Sequence, residues 1–373
     1  MIKLKNIINE IDWDKFSDVR KRCISPEEIE KMLNTELERL KGPKNQREKR
    51  PIDIPIIAPG NIPVDDKGKV IIKDFLIKIT RKPPTIFDEG VKSAHSSTEL
   101  IQTINTGIPA LKSVLWDEEN RKFYIINTCP GAGQCISACY AMSGFYIFIS
   151  EKNLKLINRL QLLMNKPEQY EKQAYNECEL YALKAKQENK TLEIRWNDAG
   201  DFFTDVYFNI AVKITHELLS KGYDVQSYAY TKVGKYVKLG TDKGMTMSFS
   251  SGANQKEKEK INYSSNKVSD IVPRSVYSKF LFPISKGFER DSHGKPKFRD
   301  EINGRNELKH AIVNYYKNNK DFQGVTMDNL KYTDELPSAQ GNPLQYNTII
   351  LPVGDSDSPA QRKDVKYIFL LQH

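Results

Sequence analysis

Three cysteines within eleven residues are the first feature of this sequence able to do chemistry. Cys129, Cys135 and Cys139 stand at C-x5-C-x3-C spacing in the segment CPGAGQCISAC. Thiolates are soft donors, and three that converge suit a soft metal or an iron–sulfur cluster. Cys135 and Cys139 are four residues apart and would share one face of a helix. Gly131 and Gly133 allow the backbone to curl until Cys129 reaches the same point. Structural zinc takes four protein ligands, and no fourth Cys or His lies close by: Cys178 falls in an expected helix, and His95 and His216 are distant in sequence. Three ligands and one open position suit a [4Fe-4S] cluster whose fourth iron binds something else. A catalytic zinc is the alternative, and cysteines acting only as small buried hydrophobes are the plain reading. Cys23 and Cys178 are read as ordinary packing.

The second informative segment is LEIRWNDAGDFF, residues 192–203. An apolar strand ends there in a burst of Asn, Asp and Gly before a helix. In parallel α/β folds ligands bind at the carboxyl ends of strands. Gly200 would let a ligand approach the backbone. Asp198 and Asp201 can accept from an ammonium, a ribose hydroxyl or a metal. Their plain readings are a solvated loop acid and a cap of the next turn. Arg195 is a charge partner for either acid or a phosphate contact. Two later strand ends present Tyr230, Thr231 and Lys232, and then Ser250. If these strands are neighbours, all these groups and the cysteines converge on one side of the sheet.

The elements that must position them follow from periodicity and punctuation. Lys122–Asn127 (KFYIIN) reads as a strand running into the cysteine loop, so the cysteines are expected in the first loop of a β/α domain. Residues 151–164 and 168–187 read as helices, 192–196 as a buried strand, and Asp205–Ser220 as a helix with Tyr207, Ile210, Ala211, Ile214 and Leu218 on one face. Strands at 225–230 and 245–250 flank a short helix from Lys232. Alternating strands and helices imply parallel pairing. The expected fold is α/β: a partial or complete β/α barrel with N- and C-terminal additions, the alternative being an open doubly wound sheet. Ser25-Pro26-Glu27-Glu28 reads as a helix start. Residues 70–72 and 75–79 read as a strand pair, and 250–269 as an exposed loop. The C-terminal part offers a helix at 306–318 and strands at 347–351 and 365–371. Three regions result: residues 1–94 with a basic linker at 41–51, a central cysteine-motif domain over 95–260, and a C-terminal extension over 261–373.

Composition bounds the class. The chain has 373 residues, 28% of them charged, and a formal net charge of +9. This is a globular composition, and its positive excess attracts polyanions, which makes nucleic acid or a nucleotide an expected partner. The first residues lack the apolar core of a secretory signal, and no apolar run reaches the ~20 residues of a membrane span. The expectation is a cytoplasmic protein with no membrane partner, where five cysteines do not form structural disulfides. The sequence sets no oligomeric state.

The segments CPGAGQCISACYA, R-WNDAGDFF with the following Tyr207, and YTK, together with the lead-in NTGIPALKS, resemble the gene product 88 family of phage and plasmid proteins over about residues 95 to 252. A phage origin would imply the cytoplasm of a host cell. A more distant analogy is with radical S-adenosylmethionine enzymes. That analogy implies a cluster on Cys129, Cys135 and Cys139 and cofactor recognition by Gly200 and Asp201, although the usual spacing there is C-x3-C-x2-C. The first functional expectation is therefore a cluster-dependent, radical-type enzyme acting on a nucleotide or nucleic acid, with Asp198, Gly200, Asp201 and Ser250 on the cofactor side and Arg195, Tyr230 and Lys232 on the substrate side. The alternatives are a nucleic-acid-binding protein with a structural cluster or zinc, and a metal-dependent hydrolase using Asp198 and Asp201.

Overall fold

Strands alternate with helices through the middle of the chain and build one parallel sheet. The computed structural model describes residues 22–41, 55, 57–90, 97–139, 141, 146, 149–282, 284, 288–290, 296–336, 348–351 and 358–371. Its large sheet contains β2 (Ile101–Asn105), β5 (Thr191–Trp196), β6 (Val225–Thr231), β7 (Thr246–Ser250), β8 (Val268–Val272), β9 (Leu330–Tyr332), β10 (Thr348–Leu351) and β11 (Val365–Leu371). The strand order is β2-β5-β6-β7-β8-β11-β10-β9, and every neighbouring pair is parallel.

Side-chain alternation sorts the two faces of this sheet. Ile194, Trp196, Ala229, Met247 and Phe249 belong to the main core with Ala174, Cys178, Ala211, Ile214, Tyr236 and Val237 from the helices. Glu193, Arg195, Tyr228, Tyr230 and Ser248 alternate with them and lie on the opposite face. Consecutive strands follow one another across β5, β6, β7 and β8 with their helices on one face, which is the arrangement of a partial β/α barrel rather than of a doubly wound sheet. Part of the inner face is filled where Ala360, Val365 and Ile368 pack on Tyr228.

A second, antiparallel sheet has the order β1-β4-β3, with β1 at Arg22–Ile24, β3 at Lys112–Asp117 and β4 at Lys122–Asn127. It shares a separate core with helices α1 (Pro26–Lys41), α2 (Ile72–Thr80) and α3 (Ser150–Asn165). The strand that enters the cysteine loop therefore belongs to this sheet and not to the barrel. The first barrel strand is β2, which the sequence hides: Gln102, Thr103 and Asn105 are buried but polar, so IQTIN carries no apolar run. This topology removes the support for the radical S-adenosylmethionine analogy, which needs the cysteines directly after the first barrel strand.

Local chemistry accounts for the helix positions. Ser25 Oγ accepts from the Glu28 N–H at 3.2 Å while Glu28 Oε2 accepts from the Ser25 N–H at 3.1 Å, a reciprocal cap. The expected strand at 75–79 is instead part of α2. Phe75 and Ile79 lie one turn apart and both are fully buried, so the apolar spacing is helical. Helix α4 spans Pro167–Gln187 and α6 spans Gly234–Asp242. Helix α5 spans Asp205–Ser220 as expected, with Thr204 Oγ1 accepting from the Tyr207 N–H at 3.1 Å. The stretch expected as one exposed loop holds a short helix, Gln255–Lys258, and runs into β8. The basic linker beyond Lys41 lies outside the described residues. Among the described residues no helix is long and apolar enough to cross a membrane.

Candidate functional site

The cysteine loop lies across the carboxyl ends of β6 and β7, although it departs from the other sheet. The N–H groups of Gly133 and Cys135 both donate to the Gly252 carbonyl at 3.1 Å, and the Asn254 N–H donates to the Gly131 carbonyl at 2.9 Å. Two glycines make this contact feasible. A Cβ on Gly131 would stand 2.2 Å from the Lys232 carbonyl oxygen, and one on Gly252 would stand 2.8 Å from the Cys135 Cβ. Ser250 closes β7 in register with Ser269, and its carbonyl accepts from the Ala253 N–H, beginning the turn that receives the loop.

Cys135 lies in a three-residue-per-turn helix, Gln134–Ala138, and Cys139 follows its end. The α-helical spacing expected for the pair is therefore not what joins them. Convergence comes from Lys232. Burial works against its ammonium, but Asp201, Cys135, Cys129 and Cys139 outweigh that cost and hold its pKa above the ordinary lysine value. All three thiols and one carboxylate thus lie within electrostatic reach of a single half-buried cation. Cys129 is buried, which raises its pKa strongly; the Lys232 charge and the Leu111 N–H, 3.3 Å from Sγ, pull the other way. Leu111 reaches that position with φ at 60°, a left-handed backbone that is costly for a bulky side chain. No disulfide joins the described cysteines.

Asp201 ties the strand ends together. It is fully buried; Oδ1 accepts from the Phe202 N–H at 2.7 Å and from Thr231 Oγ1 at 2.6 Å, and Oδ2 accepts from the Lys232 N–H at 2.8 Å. Burial raises its pKa, and Lys232 and these hydrogen bonds offset only part of that. Its visible work is to fix Lys232. Gly200 has φ at 78°, and the group that closes on it is Ile108, whose Cγ1 would lie 2.5 Å from an added Cβ.

Asp198 belongs to a neighbouring group. Tyr146 Oη donates to its Oδ2 at 2.6 Å, Arg195 Nη1 lies 3.5 Å from Oδ1, and Lys152 Nζ lies 3.8 Å from Oδ2. The Arg195 guanidinium stands 6.0 Å from the Tyr230 ring centre, which places both on the inner face. The structure thus brings together the cysteines, Asp201 and Lys232, and beside them Arg195, Asp198 and Tyr230. Sequence reasoning gave no role to Leu111, Tyr146 or Asn197, although Leu111 lies inside the NTGIPALKS lead-in and Asn197 inside the WNDAGD segment.

A zinc ion needs ligands closing on one point at about 2.3 Å, and among the described residues no three His, Cys, Asp or Glu side chains form such a group. A cluster is a larger body that holds its thiolates further apart, carries net negative charge, and gains from N–H···S contacts and a nearby cation. Lys232 and the Leu111 N–H supply both.

The family model for gene product 88 matches residues 92–303. The chain belongs to this family. The matched part contains β2 to β8, the cysteine loop and all the residues of the site just described. Curated proteins and solved structures give no match to the chain.

Proposed function

We propose that this gene product 88 protein holds an iron–sulfur cluster on Cys129, Cys135 and Cys139 and uses it in chemistry on a nucleotide or nucleic acid. The observation that carries this reading is the docking of the three-cysteine loop on the carboxyl ends of β6 and β7 through Gly131 and Gly252, where the charge of Lys232 acts on all three thiols. Bound there, a cluster with three protein ligands would supply an iron with an open position, able to bind a small molecule. The protein's own part is positional. Asp201 holds the Lys232 backbone, Lys232 balances thiolate charge, and Gly131 and Gly252 let the loop sit flush on the strand ends. Arg195, with its ring partner Tyr230, lies beside this centre on the inner face, and the net charge of +9 favours a phosphate-bearing partner. Asp198 and Asp201 face different partners, which counts against a paired-carboxylate metal hydrolase.

Anaerobic purification with iron, sulfide and zinc assays tests the reading, with Cys135→Ala and Cys139→Ala beside the parent. The expected result is a brown protein with ~4 irons per chain that both variants lose. A colourless protein with one zinc would replace the cluster by a structural ion, and a colourless protein with no metal after reconstitution would sink both.

A further inference from the structure

At the end of β5 the ladder carries an extra residue. The Thr106 N–H donates to the Arg195 carbonyl at 3.0 Å, and the Asp198 N–H donates to the Thr106 carbonyl at 2.8 Å. Trp196 and Asn197 together therefore stand opposite the single residue Thr106, which is a bulge. Bulges of this kind recur beside functional sites, where they redirect a side chain. Asn197 takes the left-handed turn that the bulge requires, with φ at 62°.

Asn197 is only 5% exposed, yet neither its amide nitrogen nor its amide oxygen has a hydrogen-bond partner. Buried amides are almost always satisfied, so a carboxamide that lacks both kinds of partner calls for a ligand or an ordered water. A second such group stands nearby. Ser248 is fully buried, and its Oγ has no partner. Trp196, which precedes Asn197, registers with Ala229, which precedes Tyr230, and Tyr230 registers with Ser248. The ends of β5, β6 and β7 thus carry a carboxamide, an aromatic ring and a hydroxyl, near Arg195 and the strand ends that receive the cysteine loop.

We propose that these strand ends form the recognition site for an unpaired nucleobase. A carboxamide presents a donor and an acceptor side by side, the pattern complementary to a base edge, and an aromatic ring offers a stacking surface that every base can use. Asn197 reads the edge, Ser248 adds one polar contact, and Tyr230 stacks. This deepens the function proposed above, since it rests on a substrate that carries a base, but it does not need the cluster.

The test is equilibrium titration with the four ribonucleoside monophosphates and with short single-stranded DNA and RNA, on the parent as purified and after cluster reconstitution, and on Asn197→Ala, Asn197→Gly and Ser248→Ala. Binding by the parent and at least tenfold weakening by both Asn197 variants is the expected result. Glycine accepts the left-handed turn without cost, so Asn197→Gly is expected to melt at or above the parent temperature while losing affinity. The parent is expected to bind bases equally before and after cluster reconstitution, which separates this proposal from the cluster reading. Monophosphate binding would identify a nucleotide ligand, and oligonucleotide binding alone a nucleic-acid strand; either supports base recognition if Asn197 controls it. No binding of any probe, by the protein as purified or after cluster reconstitution, would overturn it, and so would an Asn197→Gly variant that binds like the parent.

Discussion

Replacing Glu193 by Gln should reveal a carboxyl group kept neutral by the fold. Glu193 lies in the middle of β5 on the inner face, 1% exposed, with one hydrogen bond, from Thr103 Oγ1 at 3.2 Å to Oε2. Burial raises its pKa from 4.5 to about 8, and Thr103 recovers only a little. The native state therefore holds this proton between about pH 4.5 and about 8 while the unfolded chain releases it, so the contribution of Glu193 to stability falls as pH rises through that window. Above about pH 8 both states are ionised and the cost is complete. At about 1.4 kcal/mol for each tenfold change in proton affinity, the rise amounts to about 5 kcal/mol as a ceiling, and about 3 kcal/mol after allowing for local relaxation. Glutamine keeps the shape and has no proton to lose. Urea unfolding of Glu193→Gln and the parent at pH 5, 7 and 9 measures the difference directly. The variant should gain about 3 kcal/mol relative to the parent between pH 5 and 9. The comparison must be between proteins, because Lys267, whose pKa burial lowers to about 7, changes stability in the opposite sense between about pH 7 and 10.5. A stability difference independent of pH would refute the argument and mean that Glu193 is ionised in the native protein.

Two substitutions probe the frame of the site. Gly131→Ala drives a Cβ into the Lys232 carbonyl, a backbone group that cannot swing aside, and should cost about 1–3 kcal/mol, read from the urea midpoint, while lowering iron content in proportion to loop displacement. Asp201→Asn replaces one of two accepting oxygens by a donating NH2 group, set against donors already aimed there from Phe202, Thr231 and Lys232. It should lose about 1–3 kcal/mol at neutral pH, and an unchanged midpoint would show that the carboxylate does not tie these strand ends.

The sequence by itself determined the repeating units of the central region. Helix α5 and strand β11 have the limits expected from their sequence, because α5 presents one continuous apolar face to the main core and β11 is apolar on both faces, with Tyr367, Phe369 and Leu371 in the main core and Val365 and Ile368 on Tyr228. The cysteine spacing and the polar end of β5 marked the two segments that meet at the site, because thiols and acids beside glycines are uncommon in plain packing. Tertiary structure decided the rest. Strand β2 was hidden because its buried residues are polar and find partners only across chain-distant contacts such as Thr103 with Glu193. The cysteine loop belongs to the barrel's rim by docking on Gly252 and not by following a barrel strand, and no local pattern encodes a carbonyl more than a hundred residues away. Lys232 and Asp201 are thirty-one residues apart in sequence, and only the parallel pairing of β5 with β6 makes them one unit. Side-chain type names the available chemistry, while the sheet register determines which of those groups share a field.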